Sequence, residues 1–387
     1  MQSLYAEVAV HQLAKEGEEL CGDRVEIVRT PDSTIIVLSD GLGSGVKANI
    51  LATMTTKIAA SLLKRGIALD EVVDTITETL PVCKVRKIAY STLHIIEIHA
   101  SGETTVIEFD SPPTFLARGR HVLPFPTKER SVGNKTIKIG QMLLTETDAL
   151  LVVSDGVIHA GIGGLLSLGW GWQGVCDYVK ERLQEDTVGE AEQLTAERIS
   201  QFVIDACDGY YLGKPGDDTT VVTAKLRYPR ELVLFTGPPA REQDDEKTVQ
   251  RFLRLPGKKV ISGGTTANIF SRITCRPLSV DLNYYDSEVP PICYISDIDL
   301  VTEGVLTLNR VVEKLATGRR QRGKDGATLL ANLLWEADTI TILAGKAVNP
   351  AHQNPNFPGH IHIKSQVVEK LIEQLKAMGK HVVVEWL

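Results

Sequence analysis

Short runs of apolar and β-branched residues alternate with turn residues through the first part of the chain. Such runs predict strands over 5–12, 24–29, 34–38, 91–99, 104–109, 114–117, 149–153 and 219–225. Apolar residues that return every three or four positions predict helices over 46–64, 69–80, 172–183 and 196–210. Because the strands cluster between pairs of helices, we expect an α+β fold in which antiparallel sheets are covered by helices.

The pattern changes after the segment Arg227-Tyr-Pro-Arg230, where strands and helices begin to alternate regularly. Strands are predicted over 232–235, 258–261, 339–343 and 381–386, and helices over 244–253, 267–273 and 365–378. Regular alternation is typical of a mainly parallel sheet. A chain of 387 residues also exceeds what one hydrophobic core usually supports. We therefore predict two domains, 1–228 and a smaller α/β domain over 229–387.

Composition narrows the classes of protein that this chain can belong to. Hydrophobic residues at 43% and charged residues at 24% are ordinary for globular proteins. No apolar run reaches the roughly 18 residues that span a bilayer, and the first residues lack the pattern of an export signal. The six cysteines form no CxxC pair, which argues against a zinc knuckle and against a disulfide framework. We expect a cytoplasmic protein with no membrane partner.

The formal net charge of -7 argues against nucleic acid as a partner, since a phosphate backbone would be repelled. The one basic cluster, Arg319 to Lys324, is short and lies among glycines, which is typical of a solvated loop.

Acidic residues stand at the ends of several predicted strands. Two strands end in Ser-Asp-Gly, at Asp40 and at Asp155, and Asp217-Asp218 leads directly into another strand. Such a carboxylate sits at a strand tip, where the glycine lets the chain turn and brings a carbonyl oxygen near the same ion. Each motif alone is a common turn. Together, several hard oxygen donors suit two Mg²⁺ or Mn²⁺ ions that activate a water.

The order of these motifs resembles the SpoIIE-like branch of the protein phosphatase 2C superfamily, a group of bacterial serine phosphatases. That family has Gly-Asp, then Ser-Asp-Gly-Met-Gly-x-Gly opening a helix, then Ser-Asp-Gly, then Asp-Asp-(Met/Ile)-Thr before a closing strand. The corresponding segments here are Gly22-Asp23, Ser39 to Gly45, Ser154 to Gly156 and Asp217 to Thr220, with Leu42 and Thr219 as departures. The resemblance covers the first domain and implies an α-β-β-α sandwich.

The resemblance also implies roles for individual residues. Asp40, Asp155 and Asp217 would form the catalytic set, with Asp40 bridging both ions and the Gly41 carbonyl binding the first. Asp155 and Asp217 would bind the second ion.

For three further residues, the role that the resemblance implies is less direct. Asp23 would hold metal-bound water, and Asp218 takes the place of an asparagine in classical members. Arg24 is a candidate for phosphate binding, with a surface ion pair as the alternative.

The implied function is a protein serine/threonine phosphatase in which a metal-activated water attacks the phosphate of a regulatory partner protein. By resemblance, that substrate would be a phosphorylated STAS-type antagonist of an anti-sigma factor. Two alternatives remain open: a pseudo-phosphatase that binds phosphoproteins without turnover, and a hydrolase of small phosphorylated metabolites. The helix over 46–64 corresponds to a regulatory switch in relatives, with ordinary core packing as the alternative.

The second domain carries glycines at predicted strand exits. Gly263, Gly264, Thr265 and Thr266 precede a predicted helix, whose first N–H groups can bind an anion at the carboxyl edge of a parallel sheet. We therefore expect a small-molecule effector on this domain, which would control the phosphatase. A routine strand exit is the alternative, because neither GxGxxG nor GxxxxGK[ST] is present.

Overall fold

The computed structural model describes residues 3–79, 91–132, 135–185, 194–280, 291–346 and 360–387. The chain divides into two compact units, Met1–Tyr228 and Pro229–Leu387, called here the N-terminal unit and the C-terminal unit. None of the helices in the described ranges combines the length and the apolar character that crossing a bilayer requires.

The N-terminal unit contains two antiparallel sheets and five helices within the described ranges. Its strands are β1 (Tyr5–Leu13), β2 (Asp23–Arg29), β3 (Ser33–Asp40), β4 (Leu93–His99), β5 (Glu103–Phe109), β6 (Phe115–Arg118), β7 (His121–Pro124), β8 (Lys128–Val132), β9 (Lys135–Leu143), β10 (Ala149–Val153) and β11 (Thr219–Arg227). Its helices are α1 (Gly45–Lys64), α2 (Leu69–Thr79), α3 (Asp155–Ile158), α4 (Gly171–Glu185) and α5 (Ala196–Tyr210). Position 80 of the helix predicted over 69–80 lies outside the described residues.

The two sheets have strand orders β1-β11-β10-β6-β7 and β2-β3-β4-β5-β9-β8, and they pack face to face. Alternation along β3 shows why: Ile36 and Leu38 join the core between the sheets, whereas Ile35 and Val37 join the core under α1 and α2. Helices α4 and α5 cover the outer face of the other sheet. The predicted α-β-β-α sandwich is confirmed.

The sandwich brings the acidic motifs to strand ends. Strand β3 ends at Asp40 and β2 begins at Asp23, and these two residues lie directly opposite each other in the antiparallel pair. In the other sheet, β10 ends shortly before Asp155, and β11 begins directly after Asp218. Each sheet therefore contributes acidic residues from two neighbouring strands.

The C-terminal unit has a mainly parallel sheet, as predicted. Its strands are β12 (Glu231–Thr236), β13 (Lys258–Ser262), β14 (Ser279–Val280), β15 (Cys293–Tyr294), β16 (Leu300–Thr302), β17 (Thr339–Ala344) and β18 (His381–Trp386), in the order β14-β15-β16-β13-β12-β17-β18. Its helices are α6 (Asp245–Arg254), α7 (Gly264–Thr274), α8 (Val305–Ala316), α9 (Gly326–Glu336) and α10 (His360–Ala377). Among the described strands of this sheet, the pairs β14–β15 and β15–β16 are antiparallel, and the other pairs are parallel.

The helices of this unit lie on both faces of its sheet. Helices α6 and α7 pack on one face through Phe252 and Phe270, and α8, α9 and α10 pack on the other through residues such as Leu308 and Leu371. The central strands are buried on both sides, which explains their continuous apolar sequences.

Candidate functional site

Five aspartates gather where the two sheets of the N-terminal unit end; we call Asp23, Asp40, Asp155, Asp217 and Asp218 the acidic centre. Asp23 faces Asp40 across the β2–β3 pair, a position in which like charges destabilise each other. The carboxyl groups of Asp40 and Asp155, which lie at the ends of different sheets, are close enough for Asp155 to raise the pKa of Asp40. The structure thus brings together the residues that the sequence predicted as a metal site.

The pKa values report the crowding of these carboxylates. Burial raises the pKa of Asp40, and the charges of Asp23, Asp155 and Asp217 raise it further. Burial also raises the pKa of Asp23, although hydrogen bonds from Thr220 and Ser154 oppose the shift. The pKa of Asp217 is raised by burial and by the charge of Asp155. The centre therefore holds more negative charge than its own hydrogen bonds neutralise.

Two oxygen atoms of the acidic centre are buried without a hydrogen-bond partner. The Thr220 hydroxyl donates to Asp23 Oδ2 at 2.7 Å, but Asp23 Oδ1 has no partner. The Lys15 N–H donates to Asp218 Oδ1 at 3.1 Å, but Asp218 Oδ2 has none. Buried polar atoms of this kind are rare, and a cation satisfies them.

The donor chemistry of the centre suits a hard divalent cation. All five side chains offer carboxylate oxygens, which Mg²⁺ and Mn²⁺ prefer over the nitrogen and sulfur donors that favour zinc. Across the described ranges, no group of three or more His, Cys, Asp or Glu side chains has an arrangement that could hold a metal ion. The carboxylates of the acidic centre fit such an ion by charge and by donor type alone.

The glycine of each Ser-Asp-Gly motif is required by a close approach of two backbone segments. A Cβ atom on Gly41 would lie 2.1 Å from the carbonyl oxygen of Ala48 in α1. A Cβ atom on Gly156 would lie 2.1 Å from the carbonyl oxygen of Asp218. Neither glycine has a positive φ. Close packing, rather than the sharp turn expected from the sequence, therefore explains both residues.

The serines of the two motifs fix the neighbouring strands. The Ser154 hydroxyl accepts the Thr220 N–H at 2.8 Å, and the Ser154 N–H donates to the Thr220 carbonyl at 3.0 Å. The Ser39 hydroxyl is bonded to the Ser91 hydroxyl, and the Thr92 hydroxyl accepts the Asp40 N–H at 2.9 Å. The sequence did not reveal the roles of Ser91, Thr92 or Thr220, because strand pairing brings them to the motifs.

Two nitrogen-bearing side chains that the sequence did not single out lie beside the centre. Lys15 Nζ lies 4.0 Å from Asp217 Oδ1, and His159 Nδ1 lies 3.8 Å from Asp155 Oδ2. Arg24, by contrast, is exposed and follows Asp23 in β2, so its side chain points to the opposite face of the sheet. The structure does not bring Arg24 into the acidic centre.

A cavity of about 480 Å³ opens beside Asp155 and His159. Trp172 forms part of its wall, where the indole stacks on Phe115 with ring centroids 4.5 Å apart and donates to the Pro113 carbonyl at 2.9 Å. The cavity therefore has a rigid aromatic wall next to the acidic residues.

The residues predicted as a ligand site in the second domain lie in the C-terminal unit. Gly263 precedes α7, and Gly264, Thr265 and Thr266 form its first turn. Gly264 and Thr265 are exposed, whereas Thr266 is fully buried.

Known proteins resemble the N-terminal unit. The family model for stage II sporulation protein E (SpoIIE) matches residues 30–227, slightly more than half of the chain. The stage II sporulation protein E of Priestia megaterium is 22% identical over 227 residues, which cover 57% of this chain and 36% of that protein. This chain thus spans about a third of the length of that curated relative.

Two solved structures are also similar to this chain. The PP2C phosphatase domain of SpoIIE from Bacillus subtilis, with a fragment of its regulatory domain, has 21% identity and a TM-score of 0.47, covering 59% of this chain and 65% of that chain. The RsbU and RsbW domains of a Mycobacterium tuberculosis protein have 16% identity and a TM-score of 0.46, covering 65% and 71%.

The matched range contains Asp40, Asp155, Asp217 and Asp218, and Asp23 lies just before it. By this match, the chain belongs to the stage II sporulation protein E (SpoIIE) family.

Proposed function

We propose that this protein is a metal-dependent protein serine/threonine phosphatase that hydrolyses phosphoserine or phosphothreonine on a regulatory partner protein. The observation that carries the proposal is the acidic centre, in which carboxylates from both sheets converge and leave two buried oxygens unpartnered. Membership of the SpoIIE family supports the same activity.

The acidic centre would hold two Mn²⁺ or Mg²⁺ ions. Asp40 lies between Asp23 on its own sheet and Asp155 on the other, which suits a carboxylate that bridges both ions. The Gly41 carbonyl would serve one ion, Asp155 and Asp217 the other, and Asp23 and Asp218 would complete the set. When bound, such ions polarise phosphoryl oxygens and activate water.

The chain's own residues would position the phosphate. Lys15 and His159 stand beside the outer carboxylates and are half-exposed, so a dianionic phosphate entering the centre meets them first. We propose these two residues, in place of Arg24, as the phosphate contacts. The cavity beside Asp155 would receive the polypeptide around the phosphoserine, because its wall combines apolar and charged side chains.

The partner rests on the family resemblance. SpoIIE-like phosphatases act on small phosphorylated regulators, and we propose a STAS-type anti-sigma antagonist as the substrate class.

Replacing Asp40 or Asp155 tests the activity. Asp40→Asn and Asp155→Asn should each abolish Mn²⁺-dependent release of phosphate from a phosphoserine peptide, because each removes an anionic ligand. Asp32→Asn is the matched control, since Asp32 lies exposed in the β2–β3 turn. Full activity in either centre variant would contradict the proposal. Binding of the phosphopeptide by the wild-type protein without any turnover would contradict it as well.

We also propose that the C-terminal unit controls the activity and that α1 carries the signal. Helix α1 packs on the centre: the Asn49 side-chain amide donates to the Cys21 carbonyl at 2.8 Å, and Ala48 touches the Gly41 backbone. The opposite face of α1 leaves Ile50 and Met54 more than half exposed. A displacement of α1 would therefore move both Asp40 and Asp23.

Comparing the full chain with residues 1–228 tests this control. Hydrolysis rates are measured for phosphoserine peptide, p-nitrophenyl phosphate and nucleotides. The difference between the two proteins should be largest for the peptide. Equal peptide rates would refute control by the C-terminal unit. If the full chain prefers nucleotides and this preference is lost when residues 229–387 are removed, the protein would instead be a small-metabolite hydrolase.

A further inference from the structure

In the C-terminal unit, two helices begin side by side at the carboxyl edge of the sheet. Strands β13 and β16 are adjacent and parallel, and each is followed by a helix with a glycine at its N-cap: Gly263 before α7 and Gly304 before α8. The two turns touch, since a Cβ on Gly304 would lie 3.5 Å from the Gly263 Cα. The helices then leave to opposite faces of the sheet. Ligands of parallel α/β sheets bind at edges of this kind.

Unsatisfied polar atoms concentrate at this edge. In the described ranges, buried side-chain N and O atoms without a partner belong to Asp23, Asp218, Thr266, Glu303 and Thr307. The first two lie in the acidic centre, and the other three all lie at the two glycine turns. Thr266 is the third residue of α7, Thr307 is the third residue of α8, and both are buried. We call Thr266, Glu303, Thr307 and the two glycine turns the polar crevice.

The hydroxyl of Thr266 points back over its own turn. A Cβ on Gly263 would lie 3.2 Å from Thr266 Oγ1, so the hydroxyl faces the position where an N-cap side chain would stand. Glycine has no such side chain, and neither α7 nor α8 has a side-chain cap.

Helix α9 of the same unit shows what those two helix ends lack. Its N-cap is Asp325, whose carboxylate accepts the Thr328 N–H at 2.8 Å and also the Thr328 hydroxyl. Thr328 occupies the same third position as Thr266 and Thr307. Because the first N–H groups of a helix have no partner inside it, the carboxylate satisfies them at α9. An anion carried by a ligand would do the same at α7 and α8.

We propose that the polar crevice binds a small phosphate ester that carries free hydroxyl groups, such as a sugar phosphate or a nucleotide. The phosphate oxygens accept hydrogen bonds from the hydroxyls of Thr266 and Thr307 and from the first N–H groups of α7 and α8. The Glu303 carboxylate, whose Oε2 has no partner, accepts from a ligand hydroxyl. Glu303 selects an ester over inorganic phosphate, because only the ester carries a hydroxyl group, apart from its phosphate, that can donate to this carboxylate.

Calorimetric titration of the full chain in EDTA tests the site without turnover at the acidic centre. The probes are ribose 5-phosphate, AMP, inorganic phosphate and ribose. At least one ester should bind, and inorganic phosphate and ribose should each bind at least about tenfold more weakly. An AMP preference over ribose 5-phosphate assigns a nucleotide, and equal affinities assign a sugar phosphate. Because binding is measured, the result does not depend on whether the N-terminal unit is a phosphatase.

Isosteric variants separate a ligand contact from a structural role. Thr266→Val and Thr307→Val should each weaken ester binding by about tenfold or more, because each removes a hydrogen bond to a charged group. Their melting temperatures without ligand should not fall, because the lost hydroxyls have no partner. Glu303→Gln should narrow the difference between the ester and inorganic phosphate.

Thr328→Val is the matched control. It should lower the melting temperature, because it breaks the bond to Asp325, and leave ester binding unchanged. The proposal is overturned if neither ester binds, if Thr266→Val binds as tightly as wild type, or if inorganic phosphate binds wild type as tightly as the esters.

Discussion

Replacing Gly41 by alanine is the sharpest test of how the backbone builds the acidic centre. The new Cβ would stand 2.1 Å from the carbonyl oxygen of Ala48, whereas ordinary contacts begin near 3.4 Å. Both atoms belong to or adjoin backbone, so no flexible side chain can yield. Helix α1 or the end of β3 must therefore move by about 1 Å, and Asp40 moves with it.

The expected effect has two parts. Overpacking of this kind costs about 1–3 kcal/mol, and each kcal/mol lowers the melting temperature of a unit this size by roughly 2–4 °C. A displacement of about 1 Å at the reacting groups lowers turnover by about 100-fold. Scanning calorimetry and phosphoserine-peptide hydrolysis at saturating Mn²⁺ measure the two effects on one protein preparation.

Gly209→Ala is the control for this experiment. Gly209 lies in α5 with no atom within 4 Å of a new Cβ and no positive φ, so alanine should stabilise the helix by about 0.5–1 kcal/mol. A Gly41→Ala protein that is as stable and active as Gly209→Ala would refute the reasoning about close approach.

Three further predictions address charge. Burial and neighbouring carboxylates raise the pKa of Asp40, so its contribution to stability is present at low pH and lost as pH rises. Chelated protein should therefore melt at a lower temperature at pH 8 than at pH 5.5, and Mn²⁺ should raise the melting temperature more at pH 8. Equal increases in melting temperature at the two pH values would contradict this. Burial lowers the pKa of His94 to about 3, so the contribution of His94 to stability is lost as pH falls below about 6.5. The melting temperature of His94→Gln should therefore fall less than that of the wild type between pH 6.5 and pH 4.5. An equal fall in both proteins would contradict this prediction. Lys15→Gln should raise KM for the phosphopeptide several-fold while leaving the melting temperature within about 1 °C, and an unchanged KM would remove Lys15 from the phosphate contacts.

The sequence was sufficient to predict the strands that carry the acidic motifs. Both Ser-Asp-Gly motifs follow fully buried apolar runs, which mark strand ends clearly. The sequence did not show that Asp23 and Asp40 lie opposite each other. That pairing depends on the register of β2 and β3, which is set by the turn from Thr30 to Ser33. Lys15 could not be recognised, since it reaches Asp217 only through the pairing of β1 with β11. His159 stands four residues after Asp155, so that spacing was a signal already present in the sequence.

Other elements gave weak signals. Strand β8 (Lys128–Val132) is mostly exposed and lacks the apolar alternation by which strands are recognised. Helix α9 (Gly326–Glu336) is apolar around most of its circumference, a pattern that does not separate a buried helix from a buried strand. Thr266 and Thr307 both belong to the polar crevice because β13 and β16 are neighbours in the sheet. The sequence therefore indicated the turn at Gly263 but not the turn at Gly304.

The acidic centre draws its carboxylates from two separate sheets, held at their spacing by side chains such as Leu38 and Leu150 in the layer between them. The affinity of the centre for a cation should therefore depend on the distance between the two sheets. Replacing a layer residue outside the acidic centre, for example by Leu150→Ala, should weaken cation binding. A tightly bound ion should in turn keep the two sheets at their native spacing.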